Sequence, residues 1–303
     1  MRFAASPTMM PHGIITGSIM KSVVITGAST GIGWATAKFL LDKGFRVFGS
    51  VRKQADAERL KSELGAGFTS LLFDVTDEAA VLAAAREVRA ALGGETLTGL
   101  VNNAGIAVPG PVLELSANEF RHQLNVNVIG PIIATQAFGP LLGADPSLKG
   151  PKGRIVMISS VAGKNGNPLT PAYAASKHAI EGLSESLRRE LMLFGIDVVI
   201  VAPGPVKTPI WSKGQGSFDM NKYKDSPYLP AMRKVTAYMQ HLDSIGLPPE
   251  RIAEVVHDAL TLPRPKVRYQ IAPDPMRHLM TAVLPKRMVD RIIARRVALM
   301  PPA

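Results

Sequence analysis

The chain contains no cysteine. Disulfide bridges, thiolate nucleophiles and zinc–thiolate centres are therefore excluded, and no metal site is expected. It also lacks any apolar run approaching the roughly 20 residues that a membrane-spanning helix needs. Its first twenty residues do not have the layout of a secretory signal, because the apolar stretch there is short and broken by proline and glycine. No zinc-finger, RNP-like or basic-tract signature accompanies the formal charge of +11, so nucleic acid is not an expected partner. The surplus of cations instead suits a polyphosphate ligand or an acidic surface. No repeat at solenoid spacing and no interdomain linker is visible. With 303 residues, 46% of them hydrophobic, one large domain with a small appendage is the expectation.

What is present is alternation. Short apolar runs at 21–26, 45–51, 68–75, 97–105, 154–160, 197–203 and 267–273 read as strands. Stretches at 33–43, 53–64, 78–92, 118–142, 173–194 and 249–260 read as helices between them. The first run, KSVVIT, suits burial on both faces, as in a parallel sheet. The expected fold is α/β: a doubly wound (Rossmann) parallel sheet of about seven strands with helices on both faces. Residues 1–20 are expected to be a disordered N-terminal extension, since Met20 directly precedes the first strand. Residues 21–275 make the domain, with an irregular insert at 205–248 as substrate lid. Residues 276–303 make a basic helical extension. Within it Met288, Val289, Ile292, Ile293, Val297 and Met300 share one helical face. That face is expected to pack on its own domain or on a partner subunit, with peripheral contact to an anionic membrane as the alternative.

The turn TGASTGIG, 26–33, follows the first strand and opens the first helix. Gly27 lets the chain leave the strand, and Gly31 and Gly33 permit close backbone approach and tight helix packing. The helix N-terminus then offers N–H groups to a pyrophosphate. Ser29, Thr30 and Ile32 belong to the same cofactor turn. Strand two ends in GSVRK, where an acid would otherwise bind a ribose 2′-hydroxyl. Arg52 can pair with a 2′-phosphate, and Lys53 adds to it. NADP(H) is therefore the expected cofactor and NAD(H) the second candidate. Asp74 is placed to accept from an adenine amino group, with Val75 packing beside the ring. In NNAG, 102–105, Asn103, Ala104 and Gly105 are assigned to the cofactor, and Asn102 to a structural cross-link.

PAYAASKHAIEG, 171–182, sets Tyr173 and Lys177 one turn apart on a helix. A tyrosine titrates near ~10, and a nearby ammonium favours the phenolate. Such a tyrosine can exchange a proton with an alcohol or carbonyl oxygen while Lys177 holds ribose hydroxyls. Ser160 ends strand five, where open α/β sheets face their ligand crevice.

Six motifs in order, TGASTGIG (26–33), NNAG (102–105), NVNVIG (125–130), ISS (158–160), YAASK (173–177) and PGPVKTP (203–209), resemble the short-chain dehydrogenase/reductase family. They cover nearly all of residues 21–273. The resemblance implies Tyr173 as catalytic acid or base and Ser160, rather than Ser159, as the substrate-stabilising hydroxyl. Lys177 would lower the tyrosine pKa and bind the ribose. Asn127 would hold a water through its backbone and complete a proton relay. Pro203, Gly204, Val206 and Thr208 would line the nicotinamide. Arginine after strand two and the C-terminal extension look most like the hydroxysteroid and retinol dehydrogenase branch. The family also implies a homodimer or homotetramer. Two features depart from its pattern: a longer loop at 144–153, and residues 1–20, which precede the family start.

The insert carries Ile210, Trp211, Phe218, Met220, Tyr223, Tyr228, Leu229, Met232, Val235, Tyr238 and Met239, and the loop at 107–115 adds apolar surface. Such a wall favours a hydrophobic secondary alcohol or ketone that is steroid-, retinoid- or lipid-like. Two other readings stand beside it: a reductase of small or acyl-carrier-linked carbonyls, and a non-catalytic nucleotide sensor or scaffold. The expected location is cytoplasmic, with membrane-peripheral attachment as a variant.

Overall fold

A computed structural model of the chain describes residues 20–208, 219–272 and 283–301. Seven strands form one parallel sheet: β1 (Ser22–Ile25), β2 (Arg46–Val51), β3 (Phe68–Leu72), β4 (Gly99–Asn102), β5 (Arg154–Ile158), β6 (Asp197–Pro203) and β7 (Arg268–Ile271). Their spatial order is β3-β2-β1-β4-β5-β6-β7. The α-helices are α1 (Gly31–Asp42), α2 (Gln54–Leu64), α3 (Glu78–Leu92), α4 (Ala117–Leu124), α5 (Gly130–Phe138), α6 (Pro171–Glu190), α7 (Leu229–Ile245), α8 (Pro249–Thr261) and α9 (Lys286–Arg296).

Strand side chains alternate between faces, and both faces are covered. Val24, Ile155 and Met157 enter one core with Val88 of α3, Phe138 of α5 and Ile180 of α6. Val23, Ile25 and Val156 enter the other with Leu40 of α1, Leu60 of α2 and Val256 of α8. A third, smaller cluster joins Leu169, Tyr223, Ala231, Met232 and Val235, with Val297 and Leu299 packed against it. β1 pairs with β2 on one side and β4 on the other, so the chain crosses over in opposite directions from this point. That reversal opens a crevice at the carboxyl ends of the strands.

The stretch 118–142 differs from the single long helix expected of it. α4 runs into a wide π turn, Asn125–Ile129, in which Gly130 N–H donates to the Asn125 carbonyl. α5 follows, and a 3₁₀ turn, Gly139–Leu142, ends the stretch. Pro131 gives a physical reason: it lacks the N–H that an uninterrupted α-helix would direct at the Asn127 carbonyl.

The insert is a second correction. It holds a helix of 17 residues, α7. Pro230 stands in its first turn, where proline is tolerated, and Ala231, Met232 and Val235 bury one face. Expectations for Ile210, Trp211 and Phe218, and for residues 1–19, lie outside the described residues. Among those described, no helix is long and apolar enough to cross a membrane.

Candidate active site

One large cleft, about 1490 Å³, lies along the carboxyl edge of the sheet. At the end near β1 the chain is clamped between strands. Thr26 Oγ1 accepts from the backbone N–H groups of Asn103 and Ala104, both at 3.0 Å. Asn103 Nδ2 donates back to the carbonyls of Thr26 (2.9 Å) and Gly27 (3.0 Å). Gly27 N–H donates to Ser50 Oγ at 2.8 Å. Gly27 has φ of +69°, and a Cβ there would lie 2.9 Å from Ala104 Cα. Glycine is thus required both by conformation and by space.

Ser29, Thr30, Gly31 and Ile32 line the cleft at the mouth of α1. Gly33 does not; a Cβ on it would meet the Gly27 carbonyl oxygen at 2.2 Å, so it serves helix–turn packing one layer behind. Arg59 of α2 donates to the Ser29 carbonyl at 2.7 Å and pairs with Asp56 and Glu63. Thr26, Ser50 and Arg59 escaped the sequence reading. Thr26 stood inside the quoted turn, but nothing local marks the reach of Arg59.

Arg52, Lys53, Asp74 and Val75 line the far end. The Arg52 side chain is 65% exposed, with Nη1 3.7 Å from Asp74 Oδ2. Asp74 also accepts from Thr76 N–H (2.9 Å) and Oγ1 (2.7 Å). Burial acts to raise the Asp74 carboxyl, but the Thr76 hydrogen bonds and the Arg52 charge outweigh it and hold it below its ordinary value. Asn103, Ala104 and Gly105 also line the cleft. Asn102 instead donates from Nδ2 to Thr135 Oγ1 at 3.2 Å, tying β4 to α5. The cradle at Gly27, where a larger residue has no room, and the cation–carboxylate pair of Arg52 and Asp74 beyond it fit a dinucleotide.

The chemistry-bearing side chains stand on two elements. Ser160, just past β5, caps the 3₁₀ turn Val161–Gly163, with Oγ accepting from Ala162 N–H at 3.1 Å. Tyr173 lies in the first turn of α6 and Lys177 in the next. All three line the cleft. Lys177 is 6% exposed, and its Nζ donates to the Ile158 carbonyl at 2.8 Å. That bond ties the start of α6 to the end of β5 and brings Ser160 and Tyr173 together. Burial pushes the Tyr173 phenol above its ordinary value, while a hydrogen bond with Ser160 pulls the other way. The net direction is opposite to that expected from Lys177 alone. Burial also lowers Lys177, to about 8, against the nearby Glu181 charge that raises it.

Ser159 turns elsewhere: its Oγ donates to Glu181 Oε1 at 2.7 Å. Glu181 is 4% exposed, and its Oε2 accepts from Arg268 Nε at 2.9 Å. This buried carboxylate, one turn beyond Lys177, was not foreseen. Asn127 lies one layer behind the cleft. Its side chain accepts from Ile106 N–H (2.9 Å) and donates to the Ile106 carbonyl and Ser176 Oγ, both at 3.0 Å. Gln123, fully buried, repeats the pattern on the Ile106 carbonyl and Val108 N–H.

Pro203, Gly204, Val206 and Thr208 line the opposite wall. Gly204 N–H donates to the Ile271 carbonyl at 2.7 Å, and Lys207 and Pro205 bond to Leu247, so this wall is pinned to β7 and the start of α8. Of the insert, Val235, Tyr238 and Met239 line the cleft, whereas Met232 and Tyr223 mainly pack the lid cluster. In the loop at 107–115, Ala107 lines the cleft, but Val112 and Leu113 face solvent. The apolar face expected of the last helix is divided. Val289, Ile293 and Val297 line the cleft, while Met288 and Met300 are exposed.

A doubly wound parallel sheet, a glycine-clamped crevice at its switch point and a cleft continuing past it are the architecture of a dinucleotide-binding protein. Residues 21–216 match the family model for short chain dehydrogenases, and the chain belongs to that family, which makes it an NAD(P)-dependent oxidoreductase. It is 40% identical over 274 residues to the NADPH-dependent 3-dehydrocapnine reductase of Ornithobacterium rhinotracheale, covering 90% of this chain and 96% of the relative. It is 32% identical over 286 residues to retinol dehydrogenase 7 of Rattus norvegicus, covering 90% and 87%. A short-chain dehydrogenase from Streptomyces avermitilis has the same fold, with a TM-score of 0.73 at 26% identity, covering 95% of this chain and all of that one.

Proposed function

We propose that the protein is an NADP(H)-dependent oxidoreductase that interconverts a hydrophobic secondary alcohol and its ketone, with Tyr173 as acid and base. The observation that carries this is the meeting of the Ser160 and Tyr173 hydroxyls over buried Lys177, beside a cleft with apolar walls. When bound, the nicotinamide dinucleotide supplies or removes the hydride. Arg52 binds its 2′-phosphate, with Lys53 beside it. Ser29, Thr30, Gly31 and Ile32 bring the first turn of α1 to the pyrophosphate, and Gly27 and Gly33 shape that turn. Asp74 and Val75 hold the adenine, Asn103, Ala104 and Gly105 the adjoining ribose wall, and Pro203, Gly204, Val206 and Thr208 the nicotinamide. Ser160 and Tyr173 donate to the carbonyl oxygen as negative charge grows on it. Tyr173 then gives up its proton, which Lys177 and a water at the Asn127 backbone help to replace.

Similarity to an NADPH-dependent reductase supports the cofactor preference, and similarity to a retinol dehydrogenase supports an apolar substrate. The relatives extend beyond the hydroxysteroid and retinol branch, so the substrate class is drawn from the cleft rather than from that branch. The same apolar walls speak against small polar carbonyls. The test is Tyr173→Phe. Turnover of hydrophobic ketones with NADPH should fall by about 10²-fold or more, with NADPH binding retained. Unchanged turnover overturns the assignment.

A further inference from the structure

Past Tyr173 the cleft reaches a wall that carries charge. α7 contributes Lys234 and Tyr238 to it, and α9 contributes Lys286, Asp290 and Arg296. This wall lies at the substrate end. α7 packs on Leu169, just before α6, and Val297 after α9 joins the same cluster.

α9 turns the stripe of Val289, Ile293 and Val297 toward the cleft, as a helix closing an apolar cleft does. Charge flanks that stripe: Lys286, Asp290 and Arg296 are exposed to solvent and also border the cleft. Arg296 is also held in position: its guanidinium carbon lies 5.1 Å from the Tyr238 ring centroid. Three cations thus face one carboxylate along a wall otherwise built from Val289, Ile293 and Val235.

We propose that this wall is a head-group subsite, and that the substrate is an amphiphile. Its apolar body occupies the cleft with the carbonyl at Ser160 and Tyr173, and its oxyanion head is met by Arg296, Lys286 and Lys234. The proposal rests on the hydrophobic-ketone reading above and narrows it. Arg296 suits the role because a planar guanidinium binds an oxyanion through two parallel hydrogen bonds. Its stacking on Tyr238 reduces the side-chain freedom lost on binding.

The test compares a positional series of long-chain oxo-fatty acids with the methyl esters of the same acids, followed by NADPH oxidation. The two sets share carbonyl, chain and reactivity and differ in the head charge. The acids should be preferred in kcat/KM by roughly tenfold or more, as expected for one charge-assisted contact. Arg296→Met and Lys286→Met keep apolar bulk and remove charge. Each should draw the acid-to-ester ratio toward one, through KM, and added salt should weaken the preference in the wild type. Equal use of acids and esters by the wild type overturns the head-group subsite and leaves the hydrophobic-ketone reading standing. A ratio unmoved in both variants overturns it too. Turnover of neither set, with NADPH still bound, overturns the underlying reading and this one with it.

Discussion

Tyr173 and Lys177 sit one turn apart, and burial drives both toward their neutral forms. For the phenol this is useful: a protonated Tyr173 at neutral pH is ready to donate in the reductive direction. For the lysine it is a cost accepted for position. With Lys177 lowered to about 8, turnover that depends on its ammonium should fall as pH rises through about 8, read from a pH profile of kcat. Stability runs the other way. An unfolded lysine keeps its proton up to its ordinary value of 10.5, so between about 8 and 10.5 the unfolded chain binds more protons and stability gains from this residue as pH rises. Lys177→Met should therefore lose turnover; it removes a buried ammonium but leaves the Ile158 carbonyl without its donor, so no net gain in stability is expected at alkaline pH. Its melting temperature should gain on that of the wild type as pH falls from about 10.5 toward 8, where the buried ammonium penalises the wild type alone. At the other end of the cleft, Arg52→Ala should weaken NADPH binding by roughly tenfold or more while leaving NADH binding nearly unchanged. Equal losses for both cofactors, measured by fluorescence titration, would make Arg52 an ordinary surface residue.

Between elements, one hydroxyl accepts two of the hydrogen bonds in the clamp joining β1 to β4. Thr26→Val keeps the shape but leaves the N–H groups of Asn103 and Ala104 without their acceptor. It should cost on the order of 2 kcal/mol in urea unfolding and loosen cofactor binding as well. The clamp also shows what was legible in the sequence. Contacts within one motif were readable, because a glycine turn or an i,i+4 pair declares its geometry locally. Tyr173 and Lys177 were placed on one helix face that way, and Ser160 was placed beside the cleft because it ends a strand. Glu181 was not, since its partners Ser159 and Arg268 lie 22 and 87 residues away and a glutamate mid-helix looks like solvent-facing surface. Replacing it with glutamine should destabilise by about 3 kcal/mol or more, because Arg268 would lose a buried counter-charge. The π turn at Asn125–Ile129 was hidden for a related reason: helical periodicity survives a single wide turn, and only Pro131 hinted at it. α7 was missed because proline, glycine and serine at 203–217 coloured the whole insert as irregular.

For the molecule as a whole, the seven strands and the order of motifs followed from alternation alone, since a buried parallel sheet needs apolar runs and crossovers of fixed kind. The roof over the cleft did not, because α7 and α9 come from segments whose pairing no local pattern announces. Ending the chain before α9 removes Val289, Ile293 and Val297 from the cleft. Such a truncation should raise KM for hydrophobic ketones roughly tenfold while NADPH binding persists, because the dinucleotide end owes nothing to that helix.

The three apolar clusters carry one more consequence. Two are separated by the sheet, and the third is made from Leu169, the insert and residues after α9. Because the third shares no buried residue with the others, the lid can unfold as its own cooperative unit while both faces of the sheet stay intact. Amide hydrogens of α7 should then exchange through a local opening well below the global unfolding free energy, whereas those of β1, β4 and β5 should wait for the whole domain. A bulky guest would enter by melting one corner, and its departure would be timed by the reopening of that corner.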